Sequence, residues 1–485
     1  MSVRAVVTTC VAASLLALAT VALAGQPANV AANDQQYGVY DRIKHPCEWL
    51  CIGGDERLRH TYLKNPFDFE NNGRDNRNFF RIRTRLWAKA GPFYRDDALE
   101  VPNGLSLYTR FTYEPRYVTQ WNGHVNQPLW DEVIVDNLWA EWARPAGMPF
   151  SIKVGRQDLF YGDLRKGRGL VLVDPSVFEG SRTLYSDGIK GTIHFDGIKG
   201  TLDLIALHNR ADQHRLTPFS DDENTVSEYN QTIYAAYFRS KAFDGHEFGA
   251  YYIYKDEDPD GTAQRGQLAR GRAPFNGRMV HTVGIPLMGQ LDENWDYYVE
   301  GAYQWGTEVV HYIESPTDHK RRQSYAFTSD LGYTVGTCNW KPRFHVGFEF
   351  LSGDDPCTDD WEGWDPVMSR WPQWSELLGY RWAVETGMPF YWTNMHRYTI
   401  GVSAKPCKKM IVFLDHSLLR GDENQVGGLY SNGDTRGQLT VAKLVYAFNK
   451  RTSMHLWTEW FHPQSYYVGT ADSALFIRGQ FVFKF

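Results

Sequence analysis

The sequence predicts an all-β protein: a transmembrane antiparallel up-and-down β-barrel of about 18 strands, with short periplasmic turns and long external loops. Three features carry that expectation. Segments of roughly ten residues alternate apolar and polar side chains. The joins between them are short and long by turns. The chain opens on an export signal and closes on an aromatic residue in an alternating segment.

The signal comes first. Arg4 is followed by an apolar stretch from Val11 to Leu23, which ends in Ala22-Leu23-Ala24 before Gly25. That is the pattern of a cleaved secretory peptide. The expected organisation is a signal peptide over 1–24, an N-terminal periplasmic segment over 25–54 and a barrel over 55–485. No later run is apolar over about 18 residues, so no transmembrane helix is expected. These ends alone also fit a soluble secreted protein. Composition argues against it. Aromatic residues make up 15% of the chain, yet mean hydropathy is −0.47. That combination suits strands with one face to lipid and one to water. The formal charge of −6 is too mild to name a partner, and nothing points to nucleic acid or to a cofactor.

The candidate strands are 55–63, 78–90, 103–117, 133–144, 150–158, 188–195, 199–208, 229–240, 247–256, 279–289, 294–306, 322–334, 341–350, 395–405, 408–419, 439–448, 453–461 and 473–485. Within Trp295–Trp305, Trp295, Tyr297, Val299, Tyr303 and Trp305 share one face, and Asp296, Glu300 and Gln304 share the other. Phe344, Val346, Phe348 and Phe350 oppose Arg343, His345 and Glu349. Leu475, Ile477, Phe481, Phe483 and Phe485 oppose Arg478, Gln480 and Lys484. A β-sandwich alternates in the same way. The joins separate the two folds. Those at 145–149, 196–198, 241–246, 290–293, 335–340, 406–407 and 449–452 are short and turn-rich. Those at 159–187, 209–228, 257–278, 351–394 and 420–438 are long. Periplasmic turns and external loops produce this rhythm; a sandwich has no reason to. Lipid offers backbone groups no partner, so the sheet must close. A barrel of this size encloses water.

If the apolar faces meet lipid, the polar faces line the lumen. Phe80, Ile82 and Leu86 oppose Arg81, Arg83 and Arg85. On the next strand, Arg110, Glu114 and Arg116 share the polar face. A guanidinium fork fits a carboxylate and never titrates, so this wall suits guiding anions. A charged wall that merely keeps the lumen wet is the plainer alternative. Asp296, Glu300, Asp330 and Glu349 should face the same water, as should Arg322, Arg343 and Arg397. The wall is therefore mixed, and opposed patches would set up a transverse field. The join 159–187 carries Arg165, Lys166, Arg168 and Arg182. The join 351–394 holds Trp361, Trp364, Trp371, Trp374, Trp382 and Trp392, with a short helix expected at Ser375–Val384. This aromatic join either folds inward, where it can stack on sugar rings, or caps the barrel from outside.

Six cysteines occur, and Cys10 leaves with the signal. Cys47, Cys51, Cys338, Cys357 and Cys407 remain. Export permits a disulfide, and Cys338 with Cys407 is a candidate pair. Cys47 and Cys51 alone make a poor metal site.

Val154-Gly155-Arg156-Gln157-Asp158, followed by Tyr161-Gly162-Asp163, resembles the alginate export family of outer-membrane barrels. Phe178-Glu179-Gly180-Ser181-Arg182, Arg81-Ile82-Arg83-Thr84-Arg85 and Glu349-Phe350-Leu351-Ser352-Gly353-Asp354-Asp355 are similar to further elements of that family, in the same order. The likeness spans roughly residues 55–485. It implies a monomeric barrel of about eighteen strands in the bacterial outer membrane, surrounded by lipid. The pore would be electropositive and would passively export an anionic, uronate-rich exopolysaccharide, with a periplasmic secretion partner possible. Arg81, Arg83, Arg85, Arg156 and Arg182 take the family's arginine positions. After Asp355 the sequence departs from the family pattern, with Asp365-Pro366-Val367-Met368 and the tryptophan run. A general or substrate-selective uptake porin for small anionic solutes or sugars is the competing function. A barrel hydrolase is a third. His208 and Ser220 lie on one loop side, but no nucleophile motif surrounds the serine.

Overall fold

The computed structural model describes residues 43–71, 75–96, 98–120, 126–129, 133–163, 167–173, 186–209, 229–259, 277–309, 319–368, 374–386, 391–424, 430–431 and 433–485. The strands are β1 (Leu50–Lys64), β2 (Arg77–Phe93), β3 (Gly104–Tyr113), β4 (Arg116–Gln120), β5 (Gln127–Leu129), β6 (Ile134–Ala143), β7 (Phe150–Gln157), β8 (Tyr161–Asp163), β9 (Arg168–Val173), β10 (Ser186–Phe195), β11 (Gly200–Asn209), β12 (Tyr229–Ser240), β13 (His246–Pro259), β14 (Gly277–Gln290), β15 (Trp295–Val309), β16 (His319–Thr334), β17 (Arg343–Leu351), β18 (Met395–Cys407), β19 (Met410–Arg420), β20 (Thr435–Ala447), β21 (Thr452–Pro463) and β22 (Ala474–Lys484). One helix, α1, spans Leu377–Glu385, close to the predicted Ser375–Val384. Among the described residues no helix is long and apolar enough to cross a membrane. The crossing is made by strands.

Eighteen strands, all but β4, β5, β8 and β9, form one closed antiparallel ring. The seam pairs β1 with β22, from Asp55 opposite Lys484 to Lys64 opposite Leu475. Closure leaves no edge strand to face lipid. The C-terminal residue finishes the seam: Phe485 and Gly54 exchange two backbone hydrogen bonds of 2.9 Å. Gly54 is small for a reason, since a Cβ there would lie 2.6 Å from the Phe485 ring.

Each predicted strand has a counterpart in the ring. Several ends shift by a few residues, and two changes stand out. β1 begins at Leu50, ahead of residue 55. The single segment 103–117 breaks at Glu114-Pro115 into β3 and β4. Proline has no N–H to give to a ladder, and the break lets β4 pair with the far half of β2.

The two faces sort as the alternation requires. Ile82 is 45% exposed, whereas Arg81 is 2% exposed. The exposed row of Leu58, Ile82, Leu107, Leu138, Val346 and Ile400 meets hydrocarbon.

Two long joins fold into the barrel. The β8–β9 hairpin is a separate two-stranded sheet. Leu159, Tyr161 and Val171 pack with Ile205, Ile233, Tyr237 and Tyr251. The join between β17 and β18 carries Trp364, Leu377, Leu378, Tyr380, Trp382 and Trp392 into one buried cluster with Leu63, Phe79, Phe461 and Phe476. Its tryptophans are the core of an inward plug. They are neither an external cap nor a surface open to sugars. Trp371 lies outside the described residues.

The expected disulfide is absent among the described residues: Cys47, Cys51, Cys338, Cys357 and Cys407 are all free. The Cys338 and Cys407 turns do touch, with Lys405 N–H donating to Trp340 O at 2.8 Å. Each sulfur nonetheless stays on its own turn, because Cys407 sits opposite Met410 at the start of the next hairpin. His208 is exposed and hydrogen-bonded to Thr232 at 3.1 Å. Ser220 and the 1–24 segment lie outside the described residues.

Candidate functional site

The inner face of β1–β4 concentrates guanidinium groups. The register sets Arg59 opposite Arg81 and Arg57 opposite Arg83. Arg81 in turn stands opposite Arg116. One row across three strands therefore reads Arg59, Arg81, Arg116. Directly opposed like charges destabilise a sheet unless something offsets them. Glu114, buried in the break between β3 and β4, is the offset: Arg57 bonds to its Oε2, and Arg81 lies 3.5 Å from its Oε1. Asp55 takes Arg83 at 2.7 Å. Arg59 donates to the neutral Gln480 Oε1, and its Nη1 is buried without a hydrogen bond. Arg85 lies 3.9 Å from Asp136, which Arg110 holds at 2.8 Å. On the inner faces of β1–β4, Arg57, Arg59, Arg81, Arg83, Arg85, Arg110 and Arg116 come together, with Asp55, Glu114, Asp136 and Asp158 among their carboxylates.

The opposite wall uses the same residue types differently. Arg343 forks onto Asp296 at 2.7 and 2.8 Å and also bonds Asp330. Arg168 of the inner hairpin reaches Asp163 at 2.6 Å and Asp330 at 2.7 Å. Glu300 accepts from Tyr251, Tyr298 and the Leu170 N–H, each at 2.7 Å. Arg397 bonds Glu349 at 2.7 Å with its guanidinium over the Trp374 ring. Asp296, Asp330 and Glu349 are paired with cations, whereas Glu300 is held by neutral donors.

The plug is latched at three places. Asp365 receives Lys255 at 2.7 and 2.9 Å and Arg278 at 3.2 Å. Gln304 grips the Asp365 backbone from both sides, at 2.7 and 2.9 Å. Burial would raise the Asp365 carboxyl, but the charges of Lys255, Arg278 and Arg322 outweigh it and hold it well below the usual carboxylate range. Glu376 receives Arg478 at 2.6 Å. Glu459 accepts from Ser375 Oγ and from the N–H groups of Glu376 and Leu377, which occupies the start of α1. Glu385 joins Arg381 at 2.8 Å and Arg436 at 2.7 Å.

The predicted arginines thus part company. Arg81, Arg83, Arg85, Arg110 and Arg116 come together on one wall. Arg156 is separate and closed off: it forks onto Asp187 at 2.7 and 2.8 Å and donates to Val135 O at 2.9 Å. Gly155, at φ +119, turns the strand to allow this. Arg343 and Arg397 stand in the opposite ion pairs. Arg322 is no part of an open wall, being fully buried beneath the plug on Glu308 at 2.6 Å and Gly363 O. Arg182, Arg165 and Lys166 lie outside the described residues. Sequence reasoning missed Arg57 and Arg59, although they alternate in the first strand as Arg81 and Arg83 do in the second. It also missed Lys255 and Arg278, whose partner Asp365 is far away in the chain.

The family described as alginate export is matched over residues 48–411. No curated protein matches the chain. Similar solved structures include a BenF-like porin from Pseudomonas fluorescens Pf-5, at 10% identity and a TM-score of 0.53 over 89% of this chain and 98% of that one. OpdO of Pseudomonas aeruginosa is similar at 11% identity and a TM-score of 0.52, over 90% and 97%. OccK5 (OpdH) of the same organism follows at 10% and 0.51, over 89% and 97%. At such identities the likeness is one of fold.

Proposed function

As a member of the alginate export family, to which this chain belongs, the protein is a bacterial outer-membrane channel, and we propose that it passively exports an anionic, uronate-rich exopolysaccharide along the β1–β4 wall. The observation that supports this most is the row of Arg59, Arg81 and Arg116, with Arg57 and Arg83 one step along. Steps of two residues in a strand are roughly 6.7 Å apart. Arg57, Arg59, Arg81 and Arg83 are buried and supply charge from behind the wall, while the half-buried Arg85, Arg110 and Arg116 are the guanidinium groups that a carboxylate on the polymer can reach. The summed charge of the row draws the polymer along the wall without clamping it in one tight pair.

The test is a reconstituted bilayer. Polyuronate added on the short-turn side should block the wild-type current, and the Arg81/Arg83/Arg85 triple alanine variant should lose at least about tenfold in blocking affinity, by the worth of charge-assisted pairs. Unchanged block in the variant would remove these residues from transport. A second reading, a selective uptake porin for small anionic solutes or sugars, is favoured by the plug, which narrows the lumen. Equal passage of neutral sugars and no polyuronate block would support it.

A further inference from the structure

We propose that Trp87, Tyr108 and Trp139, edged by Lys89, Lys153 and Lys190, form a saccharide subsite at the short-turn mouth of the channel, taking a pyranose ring that bears a carboxylate. The inference rests on the polysaccharide reading above for its acidic ligand, but its geometry stands alone.

Leu86, Leu107 and Leu138 are exposed on the lipid face at 37%, 47% and 54%. Trp87, Tyr108 and Trp139 each follow one of them and therefore face inward. A membrane-interface aromatic belt lies on the lipid side, so it does not account for these three. The register sets Tyr108 opposite Trp139 and opposite Lys89. The Trp87 and Tyr108 centroids are 6.1 Å apart with planes at 24°, and those of Tyr108 and Trp139 are 5.0 Å apart at 17°. Three half-buried rings thus run across three neighbouring strands with nearly aligned planes. Gly53 makes room for the first, since a Cβ there would lie 2.5 Å from Trp87.

Cations flank the row. Lys153 stands 4.2 Å from the Trp139 ring and is opposite Lys190. Lys89 and Lys190 are both close enough to repel it. Glu141 lies 3.3 Å from Lys153 and Asp203 lies 3.9 Å from Lys190. Tyr108 stacks on Trp139 and Lys153 lies over that ring, so the inward rims of the row meet the C–H side of a pyranose and the ammonium groups take its carboxylate. Along β2 the inward positions read Lys89, Trp87, Arg85, Arg83, Arg81. A ring bound at the mouth is already in line with the guanidinium wall.

The probes are a neutral malto-oligosaccharide and an oligouronate of equal length, added on the short-turn side of a bilayer holding the full barrel. Trp87→Leu with Trp139→Leu should weaken both probes at least about tenfold, the scale of losing stacked aromatic contacts, and leave anion-over-cation permeability as in wild type. Trp87→Phe with Trp139→Phe keeps the rings and should restore most binding, which separates loss of stacking from misfolding. Lys153→Gln with Lys190→Gln should weaken only the oligouronate. If wild type binds the neutral probe alone, through Trp87 and Trp139, the ring subsite stands and the polysaccharide-export reading fails. If the leucine variant binds both probes as wild type does, or wild type binds neither, the subsite is overturned.

Discussion

The β1–β4 wall and the β13–β18 wall both carry inward arginines and do different things with them. On the first, guanidinium groups stand opposite one another and share Asp55, Glu114, Asp136 and Asp158. On the second, cations and carboxylates interleave: Lys255 and Arg278 share Asp365 and Glu257, Arg322 meets Glu308, Arg343 meets Asp296 and Arg397 meets Glu349. Interleaved charges fix structure; guanidinium groups massed on one wall set a field in the lumen. The lesson is that residue type alone did not separate the scaffold from the path. Only the register and the partners did.

The comparison breaks most visibly at the latch. Asp365→Ala leaves Lys255 and Arg278 buried with one carboxylate fewer, and breaking such a pair costs about 3–5 kcal/mol. Single-channel conductance should rise as the plug loosens, and protease should cut within 352–394. Restoration of both by Lys255→Met in the same chain, which leaves Arg278 to Glu257, would show that the ions, not the packing, were responsible. An unaltered conductance in Asp365→Ala would mean that the apolar cluster holds the plug unaided.

Acid sharpens the same contrast. Asp365, Glu376 and Glu385 all have folded carboxyls lowered by cationic neighbours that outweigh burial. A depressed carboxyl stabilises above its unfolded value, and that stability is lost only as pH falls through the folded value. The plug should therefore stay latched from neutral pH down through the ordinary carboxylate range, with conductance flat. It should open only below that range. A conductance step at ordinary carboxylate pH would contradict the ion pairs.

Smaller effects follow at the margins. Gly155→Ala places a side chain at φ +119, with its Cβ 2.2 Å from Leu138 O. A cost of about 1–3 kcal/mol is expected, read as a lower midpoint of heat-induced unfolding in detergent gels. Arg321→Ala removes an exposed pair with Asp360 and should leave that midpoint unmoved.

Much of this was legible in the chain. Alternation and join length sufficed for all eighteen strands, because lipid enforces a period of two and a closed sheet. Arg81, Arg83 and Arg85 were legible for the same reason. The plug was not. Asp365 meets Lys255 across more than a hundred residues, and no local pattern records such a contact. Arg322 alternates like a lumen residue yet lies under the plug, because the same inward parity serves both wall and socket. The free cysteines show the reverse error: export permits disulfides, but permission is not proximity.

The reversal potential across a salt gradient tests the division of labour most directly. Wild type should prefer anions. Arg57/Arg59/Arg81/Arg83→Ala should lose most of that preference, and the Arg343→Ala with Asp296→Ala double variant should keep it. Equal loss from both variants, or from neither, would contradict the account.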